Sequence, residues 1–245
     1  MPSLKGKVAI VTGAGRGLGR SIAEGLAKKG VNVTCAARTQ EQIDETADIL
    51  RGLGVKALPV STNVGDEESI KNMVAKTIEE FGRVDIMINN AGITSQDRFK
   101  DITQKRWNLI FNVNVNGTVQ CTQAVLPHFL EQESGIVVNV SSILAVRVQY
   151  SVVYGASKAA IERLTQGAAR EVRKTPGIAI TCIRPYFVKT DVVEGYLEGQ
   201  DTSDWETPEM WENYTAMLCE SKAEEVTGKI WDKASLEAKY GKLNV

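Results

Sequence analysis

Tyr154 and Lys158 are the pair of side chains whose types and spacing could carry proton chemistry. If residues 152–174 form one helix, the two stand on the same face with roughly 6 Å of axial rise between their Cα atoms. A free phenol titrates near pH ~10, so about one in a thousand is ionised at neutral pH, too few for a useful base. A neighbouring ammonium favours phenolate, and a fall to about 7, worth roughly 4 kcal/mol, would place the group where acid/base catalysis works best. Y-x-x-x-K alone is also an ordinary surface pair on a helix. Its meaning therefore depends on the elements that position it.

Those elements alternate. Val8-Ala9-Ile10-Val11 is a short apolar run closed by Thr12-Gly13-Ala14-Gly15-Arg16-Gly17-Leu18-Gly19, and residues 21–29 then follow helical periodicity. Strand, glycine turn and helix open a dinucleotide-binding unit, where backbone N–H groups meet a pyrophosphate at the positive end of the helix. The spacing, T-G-x-x-x-G-x-G, differs from the commoner G-x-G-x-x-G. A second strand over 31–37 ends in Ala36-Ala37-Arg38, where an acid would be expected to hold a ribose 2′-hydroxyl. Arg38, with Arg16 in the glycine turn, instead suits a 2′-phosphate, because guanidinium binds phosphate in bidentate fashion. NADP(H) is the cofactor this pattern predicts, in preference to NAD.

A third strand over 56–60, a helix over 66–81, a fourth strand over 84–88, and strands over 135–140 and 178–183 continue the alternation. The fold class it predicts is α/β: a Rossmann-type doubly wound parallel sheet in three αβα layers, forming one domain over residues 1–245. The fourth strand ends in Asn89-Asn90-Ala91-Gly92. A helical pattern over 103–130 is broken by Asn112-Val113-Asn114-Val115-Asn116-Gly117, poor helix formers that predict a local departure from α geometry.

Composition excludes several function classes. Of 245 residues, Lys+Arg number 29 and Asp+Glu 30, a formal net charge of -1 that argues against a nucleic-acid partner. No apolar run approaches the ~20 residues of a membrane span, and no N-terminal leader pattern is seen. Cys35, Cys121, Cys182 and Cys219 have neither disulfide-framework nor metal-ligand spacing. A cytoplasmic protein without a metal site is expected. The single histidine, His128, lies beside Pro127 with no G-x-S-x-G elbow, so triad hydrolysis is not expected.

Taken together these motifs resemble the short-chain dehydrogenase/reductase family, in its single-domain branch, from Lys7 to about Thr190. Thr12-Gly13, Gly17 and Gly19 match its cofactor turn, Asn89-Asn90-Ala91-Gly92 its N-N-A-G, Tyr154 and Lys158 its Y-x-x-x-K, and Asn63-Val64 its adenine-side pair. The resemblance implies an oxidoreductase that moves a hydride between NADP(H) and a ketone or secondary alcohol. It implies Tyr154 as general acid/base, Lys158 lowering its pKa and binding the nicotinamide ribose, and a serine bonded to the substrate oxygen. Asn114 would hold a water linking Lys158 to solvent. Cofactor contacts are implied for Gly13, Arg16, Gly17, Leu18, Gly19, Arg38, Asn63, Val64, Asn90, Val188 and Thr190, besides Tyr154 and Lys158. A homodimer or homotetramer built on the helices around 107–130 and 152–174 is implied too.

Three departures accompany the likeness. Ser142 shares strand parity with Val138 and Val140 and is chosen as the catalytic serine, with Ser141 facing elsewhere, although Ser141 would restore the usual spacing to the tyrosine. Pro185-Tyr186 replaces Pro-Gly, and its phenol is expected to narrow the pocket. The usual closing strand is not recognisable, Thr227-Gly228-Lys229-Ile230-Trp231 being a partial echo. A substrate lid is expected around 191–215, where Tyr196, Trp205, Met210 and Trp211 could cover the site or anchor a helix. The competing reading is a non-enzymatic NADP(H) sensor or scaffold; an epimerase of the longer branch would need a further substrate domain.

Overall fold

The structure is a computed structural model, which describes residues 3–95, 97–148, 151–190, 202 and 205–243. Seven parallel strands form one sheet in the order β3-β2-β1-β4-β5-β6-β7: Val8–Thr12 (β1), Asn32–Ala37 (β2), Ala57–Ser61 (β3), Ile86–Asn89 (β4), Gly135–Val140 (β5), Ile178–Ile183 (β6) and Ile230–Trp231 (β7). The strands read as continuous apolar runs because helices cover both faces. Along β1 the side chains divide accordingly. Ala9 and Val11 join a core with Ile22, Leu26, Ile43, Trp211 and Tyr214, whereas Ile10 faces Ile70, Met73, Val125 and Phe129.

The helices are Gly17–Lys28 (α1), Gln40–Gly52 (α2), Glu67–Phe81 (α3), Gln104–Phe111 (α4), Gly117–Glu131 (α5), Val152–Glu171 (α6), Pro208–Glu220 (α7), Ala223–Val226 (α8) and Lys233–Tyr240 (α9). Local chemistry sets several ends. Asp66 caps α3 by accepting from Glu68 N–H, and Gly82 closes it at φ 73°. Thr207 caps α7 with Pro208 in its first turn, and Asp232 and Ser235 form a capping box at α9.

Between α4 and α5 the chain does depart from α geometry. Asn112–Asn116 is a π-helical turn, in which Gly117 N–H reaches back to Asn112 O. Residues 152–174 are helical throughout, α6 ending in a 3₁₀ turn over Val172–Lys174.

The C-terminal region corrects the sequence reading. The partial echo supplies a genuine seventh strand: β7 pairs with β6 in parallel, Cys182 opposite Ile230 and Ile183 opposite Trp231. At two residues it is too short to show a hydrophobic period, and tertiary pairing alone defines it. Met210 and Trp211 belong to the core, with Trp211 fully enclosed, and α7 packs on α1 through the Lys28–Glu212 ion pair. Trp205 stacks on Phe187 at 5.0 Å. Tyr196 and most of the expected lid lie outside the described residues.

Candidate active site

The carboxyl edge of the sheet opens into a groove of about 620 Å³. Its floor is the turn after β1, shaped by β4. Thr12 Oγ1 donates to Ile88 O and accepts the N–H groups of Asn90 and Ala91, each at 3.1 Å, while Asn90 Nδ2 donates to Thr12 O at 3.0 Å and Gly13 O at 3.3 Å. This fastening leaves no room for side chains. Gly13 sits at φ +67°, and a Cβ there would lie 2.8 Å from Asn90 Nδ2; one at Gly19 would lie 2.2 Å from Gly13 O. The turn is thus a bare-backbone cradle at the N-terminus of α1.

Gly13, Arg16, Leu18, Gly19, Arg38, Asn63, Val64, Asn90 and Thr190 all line the groove. Gly17, at φ 55°, opens α1, and Val188 forms a bridge to Glu206; neither is among the residues that line the groove. The structure adds lining residues the sequence reading passed over, chiefly Gln42, Ile93, Arg106, Leu109 and Val113. Arg106, Leu109 and Val113 recur at helical spacing, a stripe that was visible in the sequence had the polar and apolar members been read as one face. Arg106 donates to Thr94 O at 3.0 Å. Three guanidiniums, those of Arg16, Arg38 and Arg106, therefore border a groove whose lining contains no Asp or Glu. Summed, these charges favour a polyanion.

Gly92 links this groove to the tyrosine helix. A Cβ there would lie 3.3 Å from Asn114 Oδ1 and 3.6 Å from Lys158 Nζ, so both groups abut the groove wall from behind. Asn114 is wholly buried in the π-helical turn; its Nδ2 donates to Ile93 O and Ser157 Oγ, both at 3.0 Å, and its Oδ1 accepts from Ile93 N–H at 2.8 Å. Both amide protons are used. One acceptor lone pair of Oδ1 remains, on the side of Gly92 that Lys158 also approaches.

Lys158 is 4% exposed, and its ammonium donates to Val140 O at 2.7 Å. It lies 5.5 Å from the centroid of the Tyr154 ring. Tyr154 and Lys158 do share a face of α6, as the spacing predicts, but the expected fall in the phenol's pKa is absent. Burial pushes the Tyr154 phenol up to about 12, with a hydrogen bond from the Ser142 side opposing it, and pushes Lys158 down to about 8. The reason is that removing each group from water costs its charged form more than the neighbour returns. In this state Tyr154 is a protonated acid at neutral pH.

The serines divide by pleat. Ser142 is half-buried on the Tyr154 side and accepts Leu144 N–H at 3.3 Å. Ser141 turns inward, its hydroxyl donating to Glu162 Oε1 at 2.8 Å. Glu162, one turn beyond Lys158, is gripped bidentately by Arg184 at 2.7 Å for both oxygens. Tyr186, in the position expected to crowd the pocket, accepts a hydrogen bond from Arg147 at 2.6 Å. His128 sits near the C-terminus of α5, away from this cluster in the chain, and among the described residues no group of three His, Cys, Asp or Glu could hold a metal. No helix among them is long and apolar enough to cross a membrane.

Sheet order, bare glycine turn and basic groove together define a Rossmann-type nucleotide fold. The family model described as short chain dehydrogenase matches residues 7–201, and the chain belongs to that oxidoreductase family. An uncharacterized oxidoreductase of Staphylococcus aureus is 37% identical over 212 residues, covering 83% of this chain and 90% of the relative. A 3-oxoacyl-(acyl-carrier-protein) reductase of the same species is 32% identical over 240 residues, 91% of this chain and 94% of its own. Among solved structures, L-sorbose reductase from Gluconobacter frateurii, complexed with NADPH and L-sorbose, superimposes with a TM-score of 0.86 at 27% identity, covering 93% and 95% of the two chains.

Proposed function

We propose that the protein is an NADP(H)-dependent oxidoreductase interconverting a ketone and a secondary alcohol, with Tyr154 as the general acid/base. The observation that carries this reading is a groove lined by three arginines and by no Asp or Glu, of which only Arg106 has an acidic partner, Asp97 at 3.6 Å, among the described residues; Lys158 backs it at Gly92. The donor set fits a phosphorylated dinucleotide: the turn around Gly13 and Gly19 would take the pyrophosphate, Arg16 and Arg38 the 2′-phosphate, and Asn63, Val64 and Val113 the adenine side. That arginines and not an acid follow β2 is what favours NADP(H) over NAD. When bound, the nicotinamide supplies or accepts the hydride.

The chain's own groups handle the oxygen. Tyr154, holding its proton at neutral pH, gives it to the oxygen as charge develops there; Ser142 bonds the same oxygen. Lys158 stabilises the phenolate left behind, and the free lone pair of Asn114 Oδ1 holds a water between Lys158 and solvent. The four cysteines are buried and unpaired, in keeping with the reducing cytoplasm. Leu130 and Leu164, 47% and 41% exposed on α5 and α6, support a homodimer or homotetramer through those helices.

Replacing Tyr154 with Phe should lower turnover by about 10²–10⁴ while the NADPH dissociation constant, read by fluorescence titration, stays nearly unchanged. Arg38→Ala should raise that constant by about tenfold or more and leave NADH binding alone. Undiminished turnover in the first variant would refute the mechanism. Equal affinity for the two cofactors, insensitive to Arg38, would refute the specificity.

A further inference from the structure

The loop that follows Ser142 carries an exposed cation that the proposed reaction does not use. Arg147 lies on the turn that begins at Ser142: Ala145 N–H donates to Ser142 O at 2.9 Å, and Val146 and Arg147 N–H both return to Ile143 O, at 3.1 and 2.8 Å. Five residues of such 3₁₀-like turn put its Cα on the order of 10 Å from that of Ser142, within reach of a long side chain. Across from it, Ile143 N–H donates to Pro185 O at 2.7 Å, so the residue after Pro185 is held against the same turn. That residue is Tyr186. Its phenol accepts from Arg147 Nη1 at 2.6 Å, and the guanidinium carbon sits 5.5 Å over its ring.

Tyr186 is itself firmly seated. Its N–H and the Trp211 indole N–H converge on one oxygen of Glu206, each at 2.8 Å, and Glu206 is 6% exposed. The phenol oxygen takes one of the five guanidinium protons. Among the described residues no carboxylate lies within ion-pair distance of Arg147, a state it shares with Arg16 and Arg38 of the groove, whereas Arg20, Arg51, Arg83, Arg106 and Arg184 each have one. Val146 and Val148, 56% and 98% exposed, flank the cation on the same loop. An oriented guanidinium set in an exposed apolar wall suits an organic anion: its alkyl part covers the valines and its charge meets a planar fork.

We infer that Arg147, oriented by Tyr186, is a substrate-binding group, and that the carbonyl substrate carries an anionic group, carboxylate or phosphate, a short chain away from the reacting carbon. This inference rests on the oxidoreductase reading and narrows it to a substrate class. Nothing covalent is added; the anion exchanges part of its hydration for guanidinium N–H donors.

The test compares matched pairs of compounds, acetoacetate with its methyl ester for carboxylate and dihydroxyacetone phosphate with dihydroxyacetone for phosphate. Binding to the NADP⁺-saturated protein is read by calorimetry, and NADPH oxidation is followed separately. The charged member of at least one pair should bind about tenfold tighter, the preference should weaken with salt, and Arg147→Gln should bring the ratio close to one. Tyr186→Phe, which keeps the ring and removes the acceptor, should reduce the ratio partway. Equal binding of both members of both pairs, or an Arg147→Gln variant that weakens charged and neutral compounds alike, overturns the inference. Which pair responds separates carboxylate from phosphate. Because binding is read without turnover, a protein that binds the anion through Arg147 and reduces nothing would condemn the proposed reaction and leave the anion site standing.

Discussion

Two cations meet α6 one helical turn apart, Lys158 buried and Arg184 half-buried, and they are treated in opposite ways. Arg184, packed against the helix from the end of β6, meets a carboxylate: Glu162 grips it at both oxygens, Asp232 approaches at 3.9 Å, and these bonds hold its pKa above the ordinary value. Lys158 meets a carbonyl oxygen and no acid among the described residues; burial pushes it down to about 8. A compensated charge ties elements together, here α6 to the ends of β5, through Ser141, and of β6. An uncompensated one is costly to fold and is kept where an anion will arrive. The first cluster is scaffold for the second.

Lys158→Met should make the sharpest break. Turnover is expected to fall by about 10²–10⁴, whereas thermal stability below pH ~8 should rise. The sign follows from linkage: with the folded pKa depressed from 10.5 to about 8, the unfolded chain binds more protons between those values. The burial penalty is thus full below about 8 and fades as pH climbs toward 10.5. Melting curves of both proteins across that range should converge at the alkaline end. A variant destabilised at pH 7 would show that the ammonium is structurally compensated after all.

Glu162→Leu should behave in the opposite sense. It leaves the half-buried Arg184 without its bidentate partner, with only Asp232 at 3.9 Å, a loss of roughly 1–3 kcal/mol in urea unfolding, and the double replacement Glu162→Leu/Arg184→Met should recover most of it. No recovery would mean that the pair acts separately. The smallest contrast sharpens the division between neighbours. Ser142→Ala should cut turnover by about 10² with little change in stability, while Ser141→Ala should cost about 1 kcal/mol of stability and alter turnover only a few-fold. Reversal of that pattern would exchange the roles of the two serines.

Local features were well marked in the sequence. The apolar runs of β5 and β6 match the observed strands because parallel strands buried on both faces carry mostly apolar residues, and the Asn-Gly cluster marked the π-helical turn because those residues are poor helix formers. The pleat separated Ser141 from Ser142. Strand β7 escaped, two residues being too few for any period, and so did the part of Trp211: an indole some twenty-one residues beyond Thr190, where the recognisable motifs end, reads the same whether it covers a site or fills a core. The Tyr154 pKa was misjudged for a related reason. Spacing along a helix places an ammonium near a phenol but says nothing of how much water both have lost.

Sequence by itself determined the order and kind of the elements through β6, the glycine turn, and the presence of Tyr154 and Lys158 on one helical face, since each of these depends on neighbours within a few residues. Only the tertiary structure decided which charges acquired partners. Glu162 finds Arg184, Arg147 finds Tyr186, and Arg106 joins Arg16 and Arg38 around one groove through contacts that strand order creates between distant segments. Ionisation depends on burial and on those distant neighbours together, and for that reason the chemistry of the site is a property of the fold.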